Sequence, residues 1–195
     1  MFLSSADVTK AEIRRTALAR RDGLPAQERA DAAQAVASRP FPLAVAPGAI
    51  VAGYSPMRSE ISPWPLLRRL ADEGARLALP VVIGRGQALV FRAFALGDAL
   101  GSGVWGIREP LAGSPEVAPD ILIVPLAAFD RTGQRIGYGA GYYDLTLARL
   151  RAEKTVVAAG LAFQAQEIAA VPSTRRDERL DLVLTEHGVI DCRGA

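Results

Sequence analysis

The sequence predicts an α/β fold, a three-layer sandwich in which a largely parallel central sheet carries helices on both faces. Short apolar runs alternate along the chain with segments of helical periodicity, an order that is typical of parallel sheets with crossover helices. The run at 120–125 is short and almost wholly apolar, so we expect it to be a central strand. A length of 195 residues, half of them apolar, indicates a single domain spanning 1–195 with a substantial core.

Four helices are predicted, each with a recognisable start or stop. In the first, 9–24, Thr9 is followed three residues later by Glu12, which is the spacing of a capping box. A second helix, 25–39, has proline in its first turn, and a third, 63–74, ends at glycine. A fourth apolar helical pattern follows the glycine-rich run described below.

The predicted strands lie between these helices and after the fourth. The ranges are 49–54, 76–83, 88–94, 120–125, 155–161 and 180–184. Residues 96–119 are rich in glycine and proline, so we expect a long surface loop there.

Composition excludes several classes of protein. One cysteine allows no internal disulfide and fits a reducing cytoplasm. The net charge of +2 does not indicate nucleic-acid binding, and no apolar run is long enough for a membrane span or a signal peptide. We therefore expect a cytoplasmic monomer that acts on small molecules.

The most informative stretch of the chain is the run QRIGYGAGYYD. Its three glycines, Gly137, Gly139 and Gly141, precede a helical pattern and follow an arginine, Arg135. Backbone N–H groups at such a turn can point at an anion, and an arginine beside it can clamp a phosphate. The acidic residue that closes the run, Asp144, can hold Mg²⁺. The alternative is a tight strand-to-helix connection that needs glycines only for its backbone angles.

Known glycine motifs and the reactive residues elsewhere in the chain limit the reactions in which this run could take part. The glycines match neither the Walker A spacing nor G-x-G-x-x-G. The only histidine and the only cysteine, His187 and Cys192, both lie near the C-terminus, where a catalytic pair is improbable, and no zinc spacing occurs. We interpret His187 as a surface or turn residue. Phosphate clamping, Mg²⁺ binding and positioning remain, and these suffice for phosphoryl transfer.

Two basic residues on the first predicted helix, Lys10 and Arg14, are neighbours on one face. Like charges at this spacing mildly destabilise a helix, so an anion bridging them would account for the pair. The alternative is a solvated basic face.

Several further motifs occur in a fixed order along the chain. They are Lys10-x-x-x-Arg14, YSPMRSEI at 54–61, WGIREP at 105–110, PLAAFD at 125–130, the run from Arg135 to Asp144, and Asp177 with Leu180-Asp181 and Thr185-Glu186. With these motifs the chain resembles the 5-formyltetrahydrofolate cyclo-ligase family, also called methenyltetrahydrofolate synthetase, over nearly its whole length.

The resemblance implies an ATP- and Mg²⁺-dependent ligase that cyclises 5-formyltetrahydrofolate to 5,10-methenyltetrahydrofolate and releases ADP and phosphate. The formyl oxygen attacks the γ-phosphate, and N10 of the folate then displaces phosphate from the activated carbon, so no protein nucleophile is required. A non-catalytic folate- or nucleotide-binding regulatory relative is the main alternative. A nucleic-acid-associated protein is a third, suggested by arginine content alone.

The resemblance also implies roles for individual residues. ATP is bound by Lys10, Arg14, Arg135, Gly137, Gly139 and Gly141, of which Lys10 and Arg135 are catalytic. Mg²⁺ is bound by Asp144 and Asp181, and folate by Glu60, Trp105 and Tyr142.

Four of these residues have an alternative interpretation. Trp105 could cover the core beneath the 96–119 loop, and Tyr142 could pack at a helix start. Glu60 could be solvated, and Asp181 could cap a turn.

Overall fold

The computed structural model describes residues 9–194, which form four α-helices and eleven β-strands. The helices are α1 Lys10–Asp22, α2 Ala26–Ser38, α3 Trp64–Asp72 and α4 Tyr142–Glu153. The strands are β1 Ile50–Ala52, β2 Arg76–Val81, β3 Val90–Phe94, β4 Leu100–Ser102, β5 Arg108–Pro110, β6 Ile121–Pro125, β7 Ala128–Phe129, β8 Arg135–Ile136, β9 Val157–Leu161, β10 Leu182–Thr185 and β11 Gly188–Asp191. None of the helices within 9–194 is long and apolar enough to cross a membrane.

Seven of the strands form one sheet in the order β11-β10-β9-β6-β1-β2-β3. The five inner strands are mutually parallel, and only the two edge strands, β11 and β3, pair antiparallel to their neighbours. The predicted α/β class with a largely parallel sheet is therefore confirmed. The strand β6 stands fourth of the seven, which confirms the central position expected from its apolar run.

Alternate residues of the central strands face opposite layers of helix. On one face, Val51 and Ile123 belong to a core cluster with residues of α2 and α3. On the other face, Ala52 and Leu122 belong to a cluster that includes Leu147 of α4. Because successive side chains of a strand point to opposite faces, one apolar run supplies both cores, which makes the sandwich three-layered.

The first helix, α1, lies outside these two layers. Its predicted capping box is present, since the Thr9 hydroxyl accepts from the backbone N–H of Glu12 and the Glu12 carboxylate accepts from the N–H of Thr9 at 2.8 Å. Ala17 packs in a small buried cluster with Ala128 and Ile136 of the β7–β8 hairpin. The strand β8 runs directly into the glycine-rich run, so α1 is packed against the start of that run.

The prediction of one long loop over 96–119 is wrong in part. Strands β4 and β5 pair antiparallel within it, and a 3-10 turn at Val104–Gly106 joins them. The turn residue His187 lies exposed between β10 and β11, as predicted. Strands β7, β8 and β11 were not predicted, because β7 and β8 have only two residues each and β11 begins at glycine and ends at aspartate, with two apolar residues between them.

Candidate active site

A cavity of about 610 Å³ opens at the carboxyl ends of β1, β2 and β6. Tyr54 follows β1, Pro80 lies near the end of β2, and Pro125 ends β6; all three line the cavity. In open α/β sheets this is the edge at which ligands bind. The cavity brings together ten of the eleven residues that the sequence assigned to the site: Lys10, Arg14, Glu60, Trp105, Arg135, Gly137, Gly139, Gly141, Tyr142 and Asp144.

The glycine-rich run forms one wall of the cavity and leads into α4. Gly139 and Gly141 have φ values of 95° and 71°, a left-handed conformation that residues with a Cβ rarely adopt. Gly141 is the N-cap of α4, and no side chain caps the helix there. The first backbone N–H groups of α4 are therefore available to an acceptor in the cavity.

Two basic side chains of α1 cross to this wall. The Arg14 Nε donates to the carbonyl oxygen of Gly137 at 2.6 Å, and its guanidinium lies beside Gly139. The Lys10 Nζ lies 2.6 Å from a carboxylate oxygen of Asp177. Both side chains are half-buried and line the cavity, so the alternative of a solvated basic face is wrong.

Arg135 and Asp144, at the two ends of the glycine-rich run, form an ion pair. Arg135 is only 7% exposed, and its Nη2 lies 2.8 Å from Oδ1 of Asp144. Its Nη1 donates to the carbonyl oxygen of Glu178, and the backbone N–H of Glu178 donates to Asp144 Oδ1 at 3.1 Å. These three hydrogen bonds together fix the Arg135 guanidinium and the Asp144 carboxylate relative to each other.

Glu60 lines the cavity and belongs to a polar network that the sequence did not reveal. Its carboxylate accepts from the N–H of Met57 at 2.8 Å and from the hydroxyl of Tyr138. The Tyr138 oxygen in turn accepts from Nη1 of Arg21 at 2.5 Å, and Arg21 is buried. Burial raises the pKa of Glu60, although hydrogen bonds from Tyr138 and Met57 and the charge of Arg21 oppose the rise. Glu60 is half-buried, so the alternative of a solvated side chain is wrong.

Arg21 and Tyr138 are functional candidates that the sequence analysis did not single out. A weak signal was available, since Tyr138 lies inside the glycine-rich run and Arg21 lies on the same helix as Lys10 and Arg14.

Two aromatic rings stand at the mouth of the cavity. The ring centroids of Trp105 and Tyr142 are 6.0 Å apart, and the ring planes are inclined at 58°. Trp105 is 65% exposed and lies at the turn of the β4–β5 hairpin with φ 58°, so it does not cover the core. Such a conformation is strained for a residue other than glycine, and residues of this kind cluster at active sites and ligand-binding positions.

The eleventh residue, Asp181, does not line the cavity. Its carboxylate accepts from Arg151 at 2.9 Å and from the N–H of Ala158 at 2.7 Å, just before β10 begins. That is the amino edge of the sheet, opposite to the cavity. The sequence assigned Asp181 as a metal ligand, but the geometry does not bring it to the other candidate ligand, because Arg151 lies seven residues along α4 from Asp144, about 10 Å away. The Asp181 carboxylate joins α4 to the start of β9, so the alternative that it caps a turn is wrong as well.

The carboxylate that does reach the cavity from this segment is Asp177. Burial alone would raise the pKa of Asp177, but hydrogen bonds from Lys10 and Thr174 outweigh it and hold the pKa below its usual value. Among residues 9–194 no three His, Cys, Asp or Glu side chains are grouped to hold a metal ion by themselves. A cation here would need oxygen atoms from a ligand or from water as well.

The residues that line the cavity include two chemically different sets, which we call its cationic half and its aromatic half. The cationic half comprises Lys10, Arg14 and Arg135, the glycine-rich turn, and the carboxylates of Asp144 and Asp177, while two further arginines, Arg21 and Arg58, also line the cavity. The other half has two aromatic rings and the carboxylate of Glu60. The first half suits a polyphosphate, and the second suits a flat heterocycle that carries N–H donors.

Comparison with known proteins identifies the family of the chain. The model of the 5-formyltetrahydrofolate cyclo-ligase family matches residues 6–186. The chain is 30% identical over 194 residues to the 5-formyltetrahydrofolate cyclo-ligase of Mycolicibacterium smegmatis, covering 95% of this chain and 98% of that protein. It is 34% identical over 141 residues to the Escherichia coli K12 enzyme of the same name, covering 69% of this chain and 76% of that protein.

Solved structures show the same similarity. The NMR structure of 5,10-methenyltetrahydrofolate synthetase from Aquifex aeolicus superposes with a TM-score of 0.77 at 31% identity, over 94% of this chain and 93% of that one. A Mycoplasma pneumoniae 5,10-methenyltetrahydrofolate synthetase has the same fold, with a TM-score of 0.69 at 21% identity, over 91% of this chain and 98% of that one.

Proposed function

This chain belongs to the 5-formyltetrahydrofolate cyclo-ligase family, and on that premise we propose that it is an ATP- and Mg²⁺-dependent enzyme that converts 5-formyltetrahydrofolate to 5,10-methenyltetrahydrofolate. The products derived from ATP are ADP and phosphate. The observation that carries the proposal is the pairing of a cationic, glycine-rich half with an aromatic, acidic half in one cavity.

ATP occupies the cationic half in this proposal. Lys10, Arg14 and Arg135 bind its phosphates, and the first N–H groups of α4 point at the same charge. Lys10 and Arg135 are the catalytic residues, because charge develops on the phosphoryl group as it is transferred and both are cations. The left-handed glycines let the backbone approach the phosphates without a Cβ in the way.

The donor set of this half fits Mg²⁺. Asp144 and Asp177 both line the cavity and supply carboxylate oxygens, which Mg²⁺ prefers, while phosphate oxygens and water complete a typical magnesium site. When bound, Mg²⁺ would neutralise phosphate charge during transfer. We assign Asp177 to this role in place of Asp181, which does not line the cavity.

The folate occupies the other half. Trp105 and Tyr142 offer aromatic faces to the flat pterin ring, and Glu60 accepts hydrogen bonds from its N–H groups. The Tyr138 hydroxyl holds the Glu60 carboxylate in place for this contact.

The reaction needs geometry and charge from the protein and no protein nucleophile. The formyl oxygen attacks the γ-phosphorus of ATP, and the bond to ADP breaks. N10 then attacks the phosphorylated formyl carbon and loses its proton, and the bond from that carbon to the phosphate oxygen breaks. The cavity brings both substrates together, which supplies the proximity that such a transfer requires.

A direct assay tests the proposal. Purified protein with ATP, Mg²⁺ and 5-formyltetrahydrofolate is expected to form the methenyl product, which is followed by its ultraviolet absorbance. Omission of ATP, or chelation of Mg²⁺, is expected to abolish the signal. Binding of both substrates without product over a broad concentration range would support the alternative of a non-catalytic regulatory relative.

The pH dependence of folate binding tests the role of Glu60. Burial raises its pKa above the usual 4.5, so the carboxylate becomes protonated at a higher pH than an exposed glutamate does. A protonated Glu60 no longer accepts from the pterin, so the KM for 5-formyltetrahydrofolate is expected to rise by up to about tenfold per pH unit below the raised pKa. Steady-state kinetics between neutral pH and about pH 5 measure the effect.

The control for this profile is Glu60→Gln, which cannot titrate and should show a high KM that does not change with pH. An unaltered acid profile in that variant would assign the titration to another group. The stability effect has the opposite sign, because a raised pKa makes ionised Glu60 a cost in the folded state. That cost grows as pH rises through 4.5 and is complete above the raised pKa.

We also propose that the 195 residues act as one domain, in the cytoplasm and as a monomer, on small molecules alone. The single cysteine, Cys192, supports a reducing compartment; it is buried, and burial raises the pKa of its thiol.

A further inference from the structure

The segment Thr174–Asp181, which we call the strap, connects the cavity to the far end of α4. Asp177 of the strap reaches into the cavity and pairs with Lys10. The next residue, Glu178, uses its backbone N–H and C=O to bind Asp144 and Arg135. The strap therefore supplies one cavity carboxylate and holds the other.

One side chain on α4, Arg151, fixes the strap at three points. Its Nη1 lies 2.7 Å from the Glu178 carboxylate, and its Nη2 lies 2.9 Å from Asp181. The same Nη2 donates to the carbonyl oxygen of Arg179 at 2.8 Å. A guanidinium presents several donors in one rigid plane, so it can hold all three acceptors at once. Neither Arg151 nor Asp181 lines the cavity.

The strap is also held at Leu180, which packs closely against Gly133. The N–H of Leu180 donates to the carbonyl oxygen of Gly133 at 2.8 Å, and a Cβ at Gly133 would lie 2.4 Å from the Leu180 carbonyl oxygen. Gly133 also has a φ of 85°, so only glycine fits there. The strap is thus held between the turn after β7 and the last turns of α4.

The helix α4 carries Asp144 in its first turn and Arg151 in its last. Because Arg151 holds the strap against the helix that bears Asp144, its contacts contribute to the position of Asp177 relative to Asp144, together with the bond from Glu178 to Asp144. We propose that Arg151 and Asp181 are positioning residues, which set the separation of the two carboxylates that face the nucleotide and its Mg²⁺. This inference rests on the proposed function, since it assumes that this half of the cavity binds Mg²⁺ and nucleotide.

A double-mutant cycle tests the proposal. The variants are Arg151→Gln, Asp181→Asn and the double variant, with Arg151→Lys as the conservative change. Calorimetry with a non-hydrolysable ATP analogue at varied Mg²⁺ gives a readout independent of turnover. Arg151→Gln removes all three contacts with the strap and is expected to weaken Mg²⁺-dependent nucleotide binding about tenfold, the range typical of residues that orient metal ligands. Asp181→Asn keeps an acceptor oxygen and loses only the charge, so its effect should be smaller but in the same direction. The double variant should bind no more weakly than Arg151→Gln alone, because that change already removes the contact of Arg151 with Asp181.

Two comparisons separate positioning from other roles. The KM for 5-formyltetrahydrofolate should stay within about twofold of the wild type, since the strap does not form the folate half. Lys154→Gln is the matched control, because it removes an ion pair with Asp120 at the end of the same helix but does not touch the strap. It should bind the Mg²⁺-nucleotide as the wild type does, and Arg151→Lys should recover part of the lost affinity.

Three results would overturn the inference. The first is loss of binding in Asp181→Asn with full binding in Arg151→Gln, which would make Asp181 a direct ligand. The second is wild-type binding in both Arg151→Gln and Asp181→Asn. The third is a rise in the folate KM as large as the loss of nucleotide affinity, which would indicate a general loss of structure. If Arg151→Gln does not fold, Arg151→Lys and Asp181→Asn complete the test. Failure of the wild type to bind Mg²⁺-nucleotide would instead count against the proposed function.

Discussion

Replacing Asp144 by asparagine is expected to lower kcat by about a hundredfold or more while the fold is kept. The amide still accepts hydrogen bonds from Arg135 and from the backbone of Glu178, but it carries no negative charge. The charge is what a Mg²⁺ ligand supplies, so the transferred phosphoryl group loses stabilisation although the geometry is kept. Steady-state kinetics at saturating ATP and folate, with Mg²⁺ varied, measure the change.

The matched control for this variant is Asp31→Asn. Asp31 is exposed on α2, where its carboxylate accepts from the side-chain amide of Gln27, so its loss should leave kcat unchanged. A wild-type Mg²⁺ dependence in Asp144→Asn would remove Asp144 from the metal site. A shifted unfolding temperature with wild-type kcat would assign it a purely structural role.

Replacing Arg135 by lysine is expected to reduce kcat/KM for ATP by about a hundredfold, with little change in the KM for folate. Arg135 is buried and donates at once to Asp144 and to the carbonyl oxygen of Glu178. A lysine ammonium keeps the charge but lacks the planar fork that meets both acceptors and a phosphate. Varying ATP and folate separately in steady-state kinetics distinguishes the two halves of the cavity.

An exposed arginine in the β2–β3 turn, Arg85, offers the control, because Arg85→Lys should behave as the wild type. Since Arg135 and Asp144 are in direct contact, the effects of Arg135→Lys and Asp144→Asn should not add in the double variant. Additive losses would mean that the two residues act independently. Equal losses for ATP and folate would argue against a phosphate role for Arg135.

The main layers of the fold were predictable because each rests on a local pattern. The apolar run of β6 is buried on both faces, so its position in the middle of the sheet follows from composition alone. The capping box at Thr9 is likewise a property of four consecutive residues. The β4–β5 hairpin was missed because glycine and proline are typical of loops, and its hydrogen bonds come from pairing that no single strand reveals.

The candidate site was likewise predictable where its residues lie close together in the sequence, and not where they are brought together by the fold. The glycine-rich run predicted Arg135 and Asp144 together, because both lie within ten residues of each other on either side of a turn. Asp177 and Asp181 are four residues apart in an irregular segment, and only the path of the backbone decides which one turns toward the cavity. The contact of Tyr138 with Arg21 joins residues 117 positions apart, which periodicity and spacing do not reveal.

Because no side chain caps α4 at Gly141, the stability of this helix and the proposed binding of phosphate place opposite demands on its first turn. Helices usually gain stability from a side chain that occupies their first N–H groups, by about 1 kcal/mol. In α4 such a cap would take up the donors that the cavity leaves available, and the left-handed backbone at Gly141 disfavours most side chains that provide one. The helix is held instead by Leu147 and Leu150, which are buried further along it. Engineering that stabilises this helix should therefore add packing behind it and leave its first turn uncapped, so that the N–H groups proposed to bind phosphate stay available.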